Sequence, residues 1–260
     1  MADVILKTEN LTIKFGGLTA VSDFNMEAVQ GRITSLIGPN GAGKTTLFNI
    51  ITGFYKPTSG RVIFDGEDIT GKKPHDVCKA GIARTFQNIR LFAGVTVLQN
   101  VMTACWIRQK SPWWAAPLML PTYCREEREI REKSMTLLES VGLSSLAGEV
   151  ATGLPYGAQR RLEIARALAT EPKFLLLDEP AAGMNPQESG ELMDFIRQIR
   201  DQFKLTILLI EHDMKVVMGV SEYIRVLDYG MLIAEGTPDE IRSNPKVIEA
   251  YLGKGAAANA

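Results

Sequence analysis

The glycine-rich segment Gly38–Thr45 reads GPNGAGKT and matches the pattern G-x-x-x-x-G-K-[ST]. Its glycines let the backbone wrap closely around a phosphate, with successive amide N–H groups pointing inward. A helix that starts here would add about half a positive charge at its N-terminus. Lys44 would then reach the β- and γ-phosphates of a nucleotide, and the Thr45 hydroxyl would ligate Mg²⁺. The predicted nucleotide contacts of this loop are Gly38, Pro39, Asn40, Gly41, Ala42, Gly43, Lys44, Thr45 and Thr46.

Two adjacent carboxylates, Asp178 and Glu179, follow the apolar run Phe174–Leu177. Open α/β sheets bind ligands at the carboxyl ends of such strands. Asp178 is therefore predicted to hold Mg²⁺, and Glu179 to orient or deprotonate the attacking water. An acidic pair after a strand is more often a helix N-cap, and a glycine-rich turn can carry an incidental lysine. The presence of both motifs in one chain favours the nucleotide site over these alternatives.

The surrounding pattern predicts elements that can position these groups. Short strands are predicted at Val4–Phe15, Arg32–Ile37 and Leu205–Ile210, and helices at Lys44–Thr52 and Arg160–Leu168. Strands that alternate with helices indicate a mainly parallel α/β sheet. We therefore expect a single domain over residues 1–260. Its predicted parts are an α/β core with a β subdomain at 1–88 and 152–252, a helical subdomain at 89–151, and a flexible tail at 253–260.

Composition limits the classes of protein to consider. The chain has 260 residues, 45% of them hydrophobic, and a formal net charge of −1. Near-neutral charge argues against nucleic acid as a partner, because binding to phosphate backbones needs a positive surplus. Three scattered cysteines form no metal or disulfide pattern, which favours a reducing compartment. No stretch is apolar over the roughly 20 residues that a transmembrane helix needs.

The segment Leu154–Leu168, LPYGAQRRLEIARAL, resembles the signature segment of ABC ATPases, in which a glycine-containing turn opens a helix ending in I-A-R-A-L. Other residues match family positions in the same order. Phe15 matches the aromatic residue that stacks on adenine, Gln87 the Q-loop glutamine and His212 the switch histidine. Phe15 has an alternative interpretation as core packing.

The resemblance implies an ATPase with ATP and Mg²⁺ as cofactors. It also implies a P-loop NTPase (RecA-like) core with an antiparallel β subdomain and an inserted α-helical subdomain. The catalytic residues it implies are Lys44, Gln87, Glu179 and His212. The magnesium ligands it implies are Thr45, Gln87 and Asp178. Gly157, in the signature segment, is predicted to contact the ATP held by a partner subunit.

Four short segments of the sequence resemble those of one subfamily. The segments FGGL at Phe15–Leu18, RTFQ at Arg84–Gln87, EHDM at Glu211–Met214 and AYLG at Ala250–Gly253 are similar to the larger ATP-binding subunit of bacterial branched-chain amino acid importers. The implied partners are a second, different ATP-binding subunit, two permease subunits in the inner membrane and, indirectly, a periplasmic amino-acid-binding protein. The implied location is the cytoplasmic face of that membrane.

The signature segment departs from the common family form. Pro155 stands where serine is usual, and it has neither a hydroxyl nor an N–H to offer a γ-phosphate. A partner that binds nucleotide without hydrolysing it is therefore one alternative, and inequivalent sites in a dimer are another. A related transporter for urea, amides or lipopolysaccharide, or an ABC ATPase outside transport, are further alternatives. The joint presence of Lys44, Asp178, Glu179 and His212 favours hydrolysis.

Overall fold

The computed structural model describes residues 3–252, so the predicted flexible tail at 253–260 lies outside the described residues. Within residues 3–252 the strands form two sheets, one of four strands and one of six. The strands are β1 (Val4–Phe15), β2 (Leu18–Val29), β3 (Ile33–Ile37), β4 (Ser59–Phe64), β5 (Glu67–Asp68), β6 (Ile82–Arg84), β7 (Phe174–Asp178), β8 (Thr206–Ile210), β9 (Tyr223–Asp228) and β10 (Met231–Gly236). The helices are α1 (Lys44–Ile51), α2 (Pro74–Ala80), α3 (Val97–Cys105), α4 (Pro121–Ser140), α5 (Tyr156–Leu168), α6 (Pro186–Phe203), α7 (Met214–Val220), α8 (Pro238–Arg242) and α9 (Pro245–Leu252).

The chain divides into two compact units. The first holds Met1–Arg84 and Lys173–Ala260, and the second holds Thr85–Pro172. These bounds differ from the predicted helical subdomain at 89–151, because α5 contacts α3 and α4 and so groups with the helices. The sequence shows that α5 has an apolar face, but it does not show which elements that face contacts.

The larger sheet of the first unit has the strand order β10-β9-β3-β8-β7-β6. The strands β9, β3, β8, β7 and β6 run parallel, and β10 joins this sheet antiparallel at one edge. Every residue of β3, β7 and β8 is buried, as expected for strands covered on both faces. Since these three are adjacent and parallel, the loops that follow them emerge at the same edge of the sheet.

The smaller sheet of this unit is antiparallel, with the order β2-β1-β4-β5. Helix α1 packs into a core that both sheets share, where Leu47 and Phe48 meet side chains such as Phe24, Phe64 and Phe174. Burying one such side chain contributes about 1.5–3 kcal/mol. This packing holds the N-terminal end of α1 against the edge where the parallel strands end.

The second unit is mostly helical, as predicted. Besides α3, α4 and α5 it contains short 3₁₀ turns at Trp106–Arg108, Trp113–Ala115, Ser144–Leu146 and Ala151–Gly153. Thr96 and Gln99 form a capping box that begins α3. Over residues 3–252, none of the helices combines the length and the apolarity needed to cross a bilayer.

Candidate nucleotide site

The loop between β3 and α1 has a backbone that only glycine permits at two positions. Gly38 has φ 150° and Gly43 has φ 102°. A Cβ at Gly38 would lie 1.9 Å from the Leu227 carbonyl oxygen, and one at Gly43 would lie 2.6 Å from the Ala20 carbonyl oxygen. Both glycines therefore serve the close approach of this loop to neighbouring strands. The first N–H groups of a helix such as α1 have no acceptor within the helix, so they are available to a ligand.

Lys44, the first residue of α1, is buried, and its ammonium lies over the loop. Its Nζ donates to the carbonyl oxygens of Gly38 at 2.6 Å and Pro39 at 2.9 Å. Burial lowers the pKa of Lys44, while the negative charges of Glu179 and Asp178 act in the opposite direction. The positive charge of this loop is thus desolvated, which strengthens its attraction for a phosphate.

A cavity of about 550 Å³ lies above the loop. Its walls include the predicted contacts Phe15, Asn40, Gly41, Ala42, Gly43, Lys44, Thr45, Thr46, Glu179 and His212. Phe15 is 43% exposed, and its ring meets Tyr55 edge-on at 5.3 Å between centroids. An aromatic face thus remains accessible at the rim of the cavity, which suits stacking on a base better than core packing does.

Glu179 and His212 meet at this cavity although they follow different strands. His212 Nε2 lies 2.8 Å from Glu179 Oε1. Glu179 has φ 47°, a left-handed conformation that is uncommon for glutamate, and its N–H donates to the Ile210 carbonyl at 2.8 Å. Strained backbone of this kind persists where the surroundings hold it, often at functional sites. The imidazole can therefore orient the carboxylate above the phosphate loop.

Asp178 is buried rather than lining the cavity. Its carboxylate accepts a hydrogen bond from Arg84 Nη2 at 2.6 Å, and Arg84 Nη1 donates to Asn49 on α1 at 2.6 Å. In the sequence, Arg84 stands out only as part of the RTFQ segment, which predicts no role for it. Its guanidinium ties β6, β7 and α1 together and orients the carboxylate that is predicted to serve Mg²⁺.

The donor set fits a magnesium ion that arrives with the nucleotide. Among residues 3–252, no three His, Cys, Asp or Glu side chains form a group that could hold a metal by themselves. Mg²⁺ is commonly bound by one or two protein oxygens together with substrate phosphates and water. The Thr45 hydroxyl and the Asp178 carboxylate are oxygens of that kind.

Gln87 and Gly157 belong to the second unit. Gly157 lies in the first turn of α5, whose N-cap is Pro155, so the predicted glycine-containing turn does open a helix there. The roles predicted for Gln87 at the metal and for Gly157 at a partner's ATP stay predictions.

Three further residues of the site were not predicted. Tyr229, which is 85% exposed, lines the same cavity as Lys44. The hydroxyl of Tyr251 on α9 accepts a hydrogen bond from the Gly38 backbone, although burial raises the pKa of this tyrosine. Glu211 is buried beside His212. Glu211 and Tyr251 had a signal in the sequence, because they fall in the segments EHDM and AYLG, and Glu211 also follows a largely apolar strand. Tyr229 had none.

Two family models match the sequence. The model described as "ABC transporter" matches residues 21–182, and the model described as "Branched-chain amino acid ATP-binding cassette transporter" matches residues 231–257. BraF of Pseudomonas aeruginosa, a high-affinity branched-chain amino acid transport ATP-binding protein, is 47% identical over 98% of this chain and 100% of its own. LivG of Escherichia coli K12, described in the same words, is 46% identical over the same shares.

Two solved structures of ATP-binding cassettes superpose on this chain. The ADP conformation of MJ1267, an ATP-binding cassette of an ABC transporter, superposes with a TM-score of 0.84 at 35% identity, covering 97% of this chain and 100% of that one. A nucleotide-free ATP-binding cassette from an ABC transporter gives a TM-score of 0.83 at 35% identity and the same coverage. The predicted fold class is confirmed. Likeness of this extent, in sequence and in structure, means that the chain belongs to the ATP-binding proteins of ABC transporters, in the branched-chain amino acid branch.

Proposed function

We propose that this chain is the ATP-hydrolysing subunit of a membrane importer for branched-chain amino acids. The observation that carries the proposal is the Glu179–His212 pair, which lines one cavity with the phosphate loop. The printed names of BraF and LivG support the cargo, because both are branched-chain amino acid transport proteins. The transported amino acid takes no part in the ATP hydrolysis that we propose for this chain.

Each residue of the site has a separate role in ATP hydrolysis. The loop amides and Lys44 bind the β- and γ-phosphates and offset the charge that spreads over the phosphoryl oxygens. Glu179 accepts a hydrogen bond from the attacking water and takes its proton as the bond to the γ-phosphorus forms. The bond from that phosphorus to the oxygen bridging the β- and γ-phosphates breaks, and ADP leaves with that oxygen. His212 keeps the Glu179 carboxylate aimed at that water. Phe15 stacks on the base and contributes affinity rather than rate.

Thr45 and Asp178 are the groups that would hold Mg²⁺ in this site. When bound, the ion neutralises phosphate charge and orients the β- and γ-oxygens. Arg84 keeps the Asp178 carboxylate in place from the other side. Lys44 and the loop amides supply the remaining positive charge, so the phosphates are held by several protein contacts at once.

A second ATP-binding subunit is part of the proposal. The phosphate loop covers one side of a triphosphate, and a helix N-terminus from a partner would neutralise the other side and exclude water. ATP then favours the paired state, and hydrolysis removes the bridging phosphate. Shifting such an equilibrium from 1:99 to 99:1 takes about 5.5 kcal/mol of differential binding. The pair would work beneath two permease subunits at the cytoplasmic face of the membrane.

Replacing Glu179 with Gln tests the assignment. The amide cannot take a proton, so we expect ATP hydrolysis by the purified transporter complex to fall at least about 100-fold. Binding of MgATP, measured by isothermal titration calorimetry, should stay within a few-fold of wild type. Unchanged phosphate release in Glu179→Gln would remove this residue from its role.

A matched control is Glu222→Gln. Glu222 precedes β9 at the amino ends of the parallel strands, opposite the edge that holds the site, and it pairs with Arg200 at the surface. Its replacement should leave hydrolysis unchanged. Uptake of leucine, isoleucine and valine into proteoliposomes containing the complex tests the cargo. Uptake of urea instead would contradict the cargo while leaving the ATPase assignment intact.

A further inference from the structure

Glu211, the residue before His212, has its carboxylate in the protein interior. Its side chain follows the fully buried strand β8, and the residue is 3% exposed. Among the described residues 3–252, no cation pairs with it. A buried carboxylate without a cation is costly unless hydrogen-bond donors surround it. Backbone N–H groups supply those donors here.

The two oxygens of this carboxylate accept from two different loops. Glu211 Oε1 accepts from the N–H of Ala181 at 2.7 Å, in the loop after β7. Glu211 Oε2 accepts from the N–H of His212 at 3.0 Å, and the N–H of Asp213 donates as well. Ala181 lies two residues after Glu179, so one side chain links the loop that carries Glu179 to the loop that carries His212.

We propose that Glu211 is a positioning residue for ATP hydrolysis, which fixes the loop of Glu179 against the loop of His212. The inference rests on the proposed function, because it assigns a role beside those two residues. The two loops follow adjacent strands and share the hydrogen bond from the Glu179 N–H to the Ile210 carbonyl. Glu211 adds a side-chain link beyond that backbone contact. A bridge of hydrogen bonds to main-chain atoms leaves the side chains of Glu179 and His212 directed at the cavity.

The charge state of Glu211 matters for the bridge. Burial raises the pKa of this carboxyl, and the nearby charge of Glu179 adds to that rise, while the N–H donors oppose it. In the ionised form both oxygens act purely as acceptors, whereas protonation converts one of them into an O–H donor and weakens it as an acceptor. An amide presents one oxygen and one NH₂, and the NH₂ would face a backbone N–H, so one of the two loops would lose its contact.

Glu211→Gln therefore keeps the volume of the side chain and removes one side of the bridge. We expect kcat for ATP to fall about tenfold or more, because small misplacements of reacting groups reduce rate strongly. The Kd for MgATP should stay within about twofold, because Glu211 does not contact the phosphate loop. Steady-state phosphate release measures kcat and calorimetry measures Kd, both on the transporter complex. Both experiments are done at a temperature well below the midpoint of thermal unfolding.

Two variants provide the comparisons. Glu240→Gln makes the same chemical change in a carboxylate that accepts from the N–H and hydroxyl of Thr237, outside the site, and should leave kcat unchanged. Glu211→Asp keeps both acceptors on a shorter side chain and should recover part of kcat. If Glu211→Gln does not fold, Glu211→Asp decides: a reduced kcat with unchanged Kd supports the proposal, and wild-type kcat overturns it.

A lower melting temperature with wild-type kcat in Glu211→Gln would show a merely structural role and overturn the inference. Equal loss of kcat in the Asp and Gln variants would also overturn it, since the Asp variant retains both acceptors. If wild type hydrolyses ATP, Glu179→Gln does not and Glu211→Gln does, only the Glu211 inference fails. If the wild-type complex does not hydrolyse ATP, the proposed function fails.

Discussion

At the scale of single residues, burial affects the protonation of Lys44, whose positive charge would contact the phosphates of a bound nucleotide. Lys44 is held against two carbonyl oxygens of its own loop. Those contacts hold the ammonium over the loop that we propose binds a triphosphate. Since water is largely excluded there, the pKa of Lys44 is lowered, and a bound triphosphate would stabilise the charged form again.

This predicts that ATP affinity depends on pH. Because its pKa is lowered from 10.5, Lys44 in the nucleotide-free protein loses its proton at a lower pH than an ordinary lysine does. The bound triphosphate favours the ammonium, so binding then requires proton uptake, and the affinity falls as the pH rises. Calorimetric titrations at increasing alkaline pH should show this loss, which begins at a lower pH than an ordinary lysine would give.

The control for this prediction is Lys44→Arg. A guanidinium stays charged over the whole range, so the Kd of this variant should not change with pH through residue 44, even if its absolute affinity is lower. A wild-type Kd that is constant over the same range would contradict the lowered pKa.

At the scale of elements, α5 holds a neighbouring segment of the second unit through a buried ion pair. Arg160 is 0% exposed and donates to the carbonyls of Phe86 at 2.8 Å and Gln87 at 3.0 Å. Glu163 pairs with Arg160 at 2.7 Å and accepts from the N–H groups of Phe86 and Arg90. The helix thereby fixes the backbone of residues 86–90, which includes the predicted Q-loop glutamine.

Arg160→Met should therefore destabilise the second unit strongly. It removes the cation that pairs with the buried Glu163 carboxylate and the guanidinium that donates to the carbonyls of Phe86 and Gln87. We expect a loss of about 3–5 kcal/mol in the free energy of unfolding. All three tryptophans of the chain lie between residues 106 and 114, so their fluorescence reports on this unit during urea unfolding.

The comparison is Arg125→Met on α4. Arg125 pairs with Glu129 one turn away, and its side chain is 82% exposed. An exposed pair of this kind contributes about 0.5 kcal/mol or less. Similar losses of stability in the two variants would contradict the argument from burial.

At the scale of the whole chain, the C-terminal segment reaches back to the phosphate loop within the first unit. Pro39–Ala42 and the α9 residues Lys246, Glu249 and Ala250 line a second cavity of about 460 Å³. The Tyr251 hydroxyl accepts from the Gly38 backbone at the start of that loop. Helix α9, which falls within the segment 231–257 matched by the branched-chain amino acid model, thus lies against the loop that is predicted to bind phosphate.

Tyr251→Phe should weaken nucleotide binding without unfolding the chain. The loss of one hydrogen bond, worth about 1 kcal/mol, corresponds to about a fivefold higher Kd for ATP if the loop is held less firmly. Tyr223→Phe removes a hydroxyl from the start of β9, where the ring stacks with Arg32 and Arg225, and should leave the Kd unchanged. Equal affinities in wild type and Tyr251→Phe would show that α9 does not support the loop.

Much of the fold and of the phosphate loop follows from the sequence alone. Strands β1, β3 and β8 and helix α1 lie where hydrophobic period and flanking glycines predict them. The loop is also predictable because its glycines, its lysine and the helix start are contiguous. In such a segment the backbone conformation and the charge at the helix start depend on residues that are adjacent in the sequence. The sequence pattern is therefore enough to predict them.

Tertiary structure decided the rest. The Arg84–Asp178 pair joins residues 94 positions apart, and Glu179 meets His212 only because β7 and β8 are adjacent in the sheet. The same sheet order lets Glu211 bridge the two loops, and contacts between helices rather than pattern assign α5 to the second unit. Periodicity records which face of an element is buried, but it does not record which distant element covers that face. That choice is made only when the whole core packs.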